Sequence, residues 1–174
     1  QFFNYPSLYI YLAYFAHAAM AVLGLGHPFP QNQSQVWMLM RDVLLSARIV
    51  TALLGAATVP LVFLIARQIG GWKAGVLAAL FLVLAPGHVQ HSHFATVDVP
   101  TTFSVALCLW LSTRALRPDA ENNWRARQLL FAGLVAGLAA ATKYNGVLVL
   151  IAPLVAWAFL RKESRSYRVL PIAI

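Results

Sequence analysis

The sequence predicts an all-α protein: a polytopic transmembrane helix bundle of about five spans, with one further helix lying on its outer surface. Three observations predict it. Of 174 residues, 60% are hydrophobic and 10% charged, against about 45–50% and about 25% in a soluble domain. Mean hydropathy is +0.70. The 13 Lys plus Arg, against 5 Asp plus Glu, gather in short segments between apolar runs, as they do in the cytoplasmic loops of membrane proteins. Cys108 is the single cysteine and sits in an apolar run, which excludes a disulfide framework. The chain opens on Gln1 and closes in the apolar run 169–174, so it reads as part of a longer one, and no signal-peptide pattern is visible.

The elements follow in order. Residues 6–26 are long enough to span. Yet Tyr5, Tyr9, Tyr11 and Tyr14 crowd one end and His17 sits in the middle, a composition suited to a helix at the membrane interface, with rings buried and hydroxyls wet. Spans are expected over 43–66, 74–85, 97–113, 128–142 and 146–160, since a bilayer core of about 30 Å takes roughly 20 apolar residues. The 74–85 run is short, and is expected to continue into 87–93 with its polar end lining protein or a wet cavity. A further span begins at 169. The chain is therefore one transmembrane unit: 1–42 ends an outer loop and carries the interfacial helix, 43–160 holds five spans, and 161–174 is a loop and the start of the next.

Charge orients the bundle. Ten of the thirteen basic residues lie in 67–73, 114–127 and 161–168, three loops that share one side when five spans alternate. The positive-inside rule places that side in the cytoplasm. The loops 27–42, 87–96 and 143–145 then form one outer surface of a multi-pass protein of a bacterial or archaeal plasma membrane. No basic stripe interleaved with aromatics is present, so nucleic acid is not an expected partner.

The outer loops carry the candidate chemistry. In Gly87-His-Val-Gln-His-Ser-His-Phe-Ala-Thr-Val-Asp-Val-Pro100, three histidines precede an acid. His88, His91 and His93 together with a carboxylate are a ligand set for zinc or manganese, but the spacing matches no established metal motif, and hydrogen bonding within a polar helix end is the alternative. Asp98 before Pro100 suits a helix N-cap, and a carboxylate at the outer interface is also able to accept from a hydroxyl or act as a base. In Thr142-Lys-Tyr-Asn-Gly146, Asn-Gly supplies the positive φ of a tight turn. Lys143 there either snorkels to water or offers a fixed cation to an anion such as a lipid-linked phosphate. Arg48, Thr51, Gly55 and Thr58 fall on one helical stripe, with Arg48 placed to pair with Asp98 or reach a phosphate. Gly133 and Gly137 read as a helix-packing face. Asp42 reads as a loop or cap residue, and Asn32-Gln-Ser34 matches a short glycosylation sequon.

These residues, in this order, resemble the GT-C class of membrane glycosyltransferases, closest to the family-39 type that includes protein O-mannosyltransferases and lipid A aminoarabinose transferases. Four stretches carry the likeness: Phe3-Asn-Tyr-Pro-Ser-Leu-Tyr-Ile-Tyr11; Ser46-Ala-Arg48 with the later Arg67-Gln-Ile-Gly70; Ser92-His-Phe-Ala-Thr-Val-Asp-Val-Pro100; and Ala141-Thr-Lys-Tyr-Asn-Gly146. The resemblance implies transfer of a sugar from a polyprenyl-phosphate donor to a protein, lipid or glycan acceptor at the outer face. It implies donor-phosphate contacts from Lys143, Arg48 and Tyr144, substrate contacts from His93, His88 and Tyr5, and an assisting role for Asp98. The family's principal acid lies upstream of the Pro-Leu-Tyr segment. Asp119, Glu121 and Glu163 fall in cytoplasmic loops and cannot replace it, so this stretch alone is not expected to be catalytically competent. The sequence calls for no particular cofactor, with a divalent metal as the alternative.

Two rival readings remain. In a transporter, Lys143 and Asp98 would line a path, but transporters place ionisable groups near the midplane, and here they sit at the outer edge. A non-catalytic scaffold using the Gly133/Gly137 face leaves the outer polar cluster unexplained.

Overall fold

Six α-helices and one 3-10 segment carry residues 6–26, 36–117 and 121–168, those described by the computed structural model. In chain order they are α1 (Leu8–Val22), α2 (Val36–Leu84), α3 (Pro86–His93), α4 (Asp98–Ala115), α5 (Asn122–Thr142), the 3-10 segment (Tyr144–Leu150) and α6 (Ile151–Arg168). No strand occurs among the described residues, as the all-α expectation requires. Tyr5, the sequon Asn32-Gln-Ser34, Asp119 and the expected span from 169 lie outside them.

A straight helix of the 49 residues of α2 would measure about 73 Å, more than twice a bilayer core of about 30 Å. It is not straight. Gly71 leaves helical geometry at φ 74, ψ −171, a conformation open to glycine and strained for other residues. Past it the chain doubles back: a Cβ on Gly75 would stand 2.9 Å from the ring and carbonyl of Phe63, and Trp72 meets the Phe63 ring edge-on with centroids 5.0 Å apart. The loop expected over 67–73 is thus one non-helical residue between two arms packed side by side.

Two further expectations are corrected. The second arm does not run on into 87–93. Ala85 is extended (φ −71, ψ 112) because Pro86 follows it, and the proline ring pushes the preceding residue out of the helical region; α3 is a separate helix of two turns. At the other end α2 begins at Val36 rather than 43, so Arg41 and Asp42 are helical, and Asp42 is buried rather than a loop or cap residue.

At 15 residues, α1 is about 22 Å long. It buries Tyr9, Ala13 and His17, one stripe at i, i+4, i+8, and exposes Ile10, Tyr11, Tyr14 and Phe15. The buried stripe lies on α2, where the Tyr9 hydroxyl donates to the Ala47 carbonyl at 3.0 Å and stands 2.9 Å from Thr51 Oγ1.

Among the described residues, two helical stretches have the length and apolarity of a membrane crossing, Leu39–Leu84 and Tyr144–Lys162. Large apolar side chains such as Leu53, Phe81, Phe131, Leu148 and Phe159 stand exposed on the outside of the bundle, where a soluble domain would rarely gather so much apolar surface.

The α4–α5 hairpin sets the register of the site. Cys108 and Leu111 pack on Ala132 and Ala136 in one buried cluster, and the Cys108 thiol donates to the Ala132 carbonyl at 3.3 Å. From that point Arg114 meets Trp124 in one direction and Asp98 meets Lys143 in the other, so the two helices run antiparallel. The face of α5 that packs is Ala132, Ala136 and Ala139. It is not Gly133 and Gly137, whose missing Cβ atoms would meet nothing within 4 Å.

Candidate functional site

The site begins with Asp98, the first residue of α4. Val97 holds the capping position and no side chain caps the helix, so the expected capping role is not Asp98's. Its carboxylate instead accepts a hydrogen bond from Lys143 Nζ at 2.6 Å. An acid in the first turn also suits the positive end of the helix dipole. The Lys143 side chain is 28% exposed and that of Asp98 45%, so both charges remain within reach of an incoming anion or hydroxyl.

The turn after α5 aims the lysine. Lys143 is extended (φ −151, ψ 132). Its N–H donates to the Ala139 carbonyl at 3.0 Å, and its own carbonyl accepts from the Gly146 N–H at 2.8 Å. Gly146 was expected to supply a positive φ, but among the described residues only Gly24 and Gly71 have one. Its real reason is close approach: a Cβ there would collide with the Ala139 carbonyl. The 3-10 segment therefore lies directly on the end of α5, and Lys143 is held between them.

Beside this pair, α3 crosses the first arm of α2 at Gly55. His88 Nε2–H donates to the Gly55 carbonyl at 3.1 Å, and the Ser92 hydroxyl donates to the His88 carbonyl at 2.7 Å. A Cβ on Gly55 would collide with Ser92 Oγ. Between the two helices runs a groove of about 460 Å³, lined by Gly55, Val59, Pro60, Val83, His88 and His93 among others. Its walls are largely aliphatic, with imidazoles at one edge.

His93 Nδ1–H donates to the Val89 carbonyl at 2.7 Å, which leaves Nε2 of the neutral ring as an acceptor. His91 is exposed. Among the described residues no three His, Cys, Asp or Glu side chains converge as a metal site. His88 and His93 each place one ring nitrogen on a backbone carbonyl and the three rings do not converge, so no chemistry is derived through a metal ion.

The remaining candidates separate. Thr51, Gly55 and Thr58 are buried, whereas Arg48, on the edge of that stripe, is exposed. The ion pair considered between Arg48 and Asp98 is replaced by the Lys143 pair, because the α4–α5 register brings Lys143 to the carboxylate. Tyr144 is 64% exposed next to Lys143. Tyr5 lies outside the described residues. The sequence reading missed Gly55 as a seat for α3 and gave Gly146 the wrong reason. A glycine within a helical polar stripe was the available signal for the first.

Residues 32–173 match the family of dolichyl-phosphate-mannose-protein mannosyltransferases. No curated protein matches the chain, and no solved structure does. The matched stretch contains every element from α2 to α6, and with them the Asp98–Lys143 pair and the groove.

Proposed function

Because the chain belongs to the dolichyl-phosphate-mannose-protein mannosyltransferase family, a GT-C family of membrane glycosyltransferases, we propose that it passes a sugar from a polyprenyl-phosphate donor to a protein, lipid or glycan acceptor at the outer face of the membrane. The observation that carries the reading is the Lys143–Asp98 pair, 2.6 Å apart and part-exposed at one end of the bundle.

In such a transfer an acceptor hydroxyl attacks the anomeric carbon as the bond from that carbon to the phosphate oxygen breaks. The hydroxyl proton goes to a base, and the polyprenyl phosphate leaves with the bonding electrons. Charge develops on the leaving phosphate, where a fixed cation lowers the barrier. Lys143 is that cation. An arriving phosphate competes with Asp98 for the ammonium, and the carboxylate so released accepts a hydrogen bond from a sugar or acceptor hydroxyl. Asp98 thus assists, and the resemblance assigns the principal base to an acid of the first outer loop. Arg48 and Tyr144, both exposed, add contacts to the phosphate. The groove between α2 and α3 suits an isoprenoid chain, with His88 and His93 at its edge facing the donor's head group and Tyr5 completing the substrate contacts.

In the same reading the two arms of α2, then α4, α5 and α6, are the five crossings of a multi-pass plasma-membrane protein. Helix α1 lies on its outer surface, and the arginine-bearing ends face the cytoplasm.

The test is sugar transfer by the full-length protein from a labelled polyprenyl-phosphate sugar. Lys143→Ala and Asp98→Ala are each expected to lower the rate, Lys143→Ala by about a hundredfold, the typical loss when one charge-stabilising donor is removed. Wild-type rates in both variants would remove the site from this function. Solute flux through proteoliposomes with no donor present would favour transport instead.

A further inference from the structure

At the end of α4 opposite Asp98, three arginines share one pocket. Arg67, from the bend of α2, and Arg114 and Arg117, from the end of α4, line a cavity of about 330 Å³ together with Leu64, Gln68 and Trp110. Among the described residues, no carboxylate lines it.

Positive-inside topology accounts for arginines in these loops, but not for their convergence from two separate elements onto one cavity. Like charges so gathered repel, more strongly in the partly dehydrated setting of a membrane interface than in water. The arrangement is nevertheless built. The Arg114 guanidinium lies over the Trp110 ring at 4.7 Å and over the Trp124 ring at 4.9 Å. Both rings hold the guanidinium in place by cation–π attraction. Arg67 lies over the Trp72 ring at 5.6 Å. The backbone at Arg117 is tied down by Arg125, whose Nη2 donates to the Arg117 carbonyl at 2.9 Å. Guanidinium groups match the oxygens of a phosphate two at a time, and the Gln68 amide adds a neutral donor.

We propose that this pocket binds a phosphate group, distinct from the donor phosphate at the Asp98–Lys143 end. The group belongs either to the head group of an anionic phospholipid of the facing leaflet or to a free phosphate ion. The proposal is independent of the transferase reading, and its failure leaves that reading untouched.

The experiment is a tryptophan-emission titration of the full-length protein in neutral detergent with three probes: short-chain phosphatidylglycerol, short-chain phosphatidylcholine and inorganic phosphate. Trp110 and Trp124 report because they flank Arg114. A saturable response to phosphatidylglycerol alone supports the lipid source, and one to inorganic phosphate as well supports a site for the ion itself. In either case Arg114→Gln and Arg67→Gln are expected to weaken binding tenfold or more. Arg127→Gln, which removes the same charge from an exposed position outside the pocket, is expected to leave it within twofold. Far-ultraviolet circular dichroism checks that each variant is folded, and Arg114→Lys serves if Arg114→Gln is not; it keeps the charge but not the planar fork, and is expected to weaken binding at least threefold. Two outcomes overturn the proposal: no saturable response to either anionic probe, or equal weakening by Arg127→Gln, which would reduce the effect to net charge.

Discussion

Lys143 Nζ and Asp98 Oδ1 stand 2.6 Å apart although 45 positions separate them in the chain. The contact follows from the antiparallel register of α4 and α5, fixed where Cys108 meets the Ala132 carbonyl and continued to the helix ends. It places an anion and a cation, both partly open to solvent, at the end of a bundle whose outside is largely apolar.

The pair is expected to matter more for transfer than for stability. A part-exposed ion pair is worth about 1 kcal/mol or less. Asp98→Asn should therefore shift the melting temperature in detergent by only a few degrees while slowing sugar transfer at least tenfold. A large loss of stability with transfer kept would make the pair structural.

Gly55→Ala is expected to destabilise by about 1–3 kcal/mol, the usual cost of forcing an extra methyl into a closed contact, since the new Cβ would collide with Ser92 Oγ. Ser92→Ala in the same chain should recover part of that loss by removing the clashing oxygen. Thermal unfolding of the two single variants and the double variant checks this; strict additivity would show that the α2–α3 crossing is looser than described.

On α5 and the turn after it, glycine-to-alanine changes should differ in sign. Gly146→Ala places a methyl against the Ala139 backbone, which cannot move aside, and is expected to cost about 2 kcal/mol. Gly137→Ala enters open space in mid-helix and is expected to stabilise by up to about 1 kcal/mol through helix propensity. Comparing their melting temperatures tests both assignments together.

Tyr9→Phe removes a hydroxyl shared between the Ala47 carbonyl and Thr51 Oγ1. Thr51 retains its own bond to Ala47 at 2.8 Å, so no buried group is orphaned. The expected loss is about 1 kcal/mol. Amide hydrogen exchange in α1 should then speed up; unchanged exchange would mean that α1 is held by its apolar contacts alone.

Much of this architecture was legible in the sequence because composition and period are local properties. The run around Asp98 began a helix within one residue of the expected boundary, and the turn around Lys143 stood where its glycine and asparagine placed it. What was not legible depends on how helices face one another. Gly133 and Gly137 looked like a packing face, yet Ala132, Ala136 and Ala139 lie one position away in rotation and make the contact. Arg48 shared a helical stripe with Thr51 and Gly55, but a charged side chain at the rim of that stripe turns outward while its smaller neighbours are buried. The break at Ala85 is readable from Pro86, but the shortness of the 74–85 run favoured a continuation into the polar stretch 87–93.

The central claim is that Lys143 serves the donor phosphate and not merely Asp98. The most direct measurement is the rate of sugar transfer by the charge-swapped chain carrying Asp98→Lys and Lys143→Asp together, beside each single variant. The swap can restore an ion pair between the two helices, and the account predicts that it recovers the melting temperature lost in the single variants. It also predicts that transfer stays at least tenfold below wild type, because the cation now stands on the wrong element for the phosphate. Recovery of wild-type transfer in the swapped chain would contradict the account.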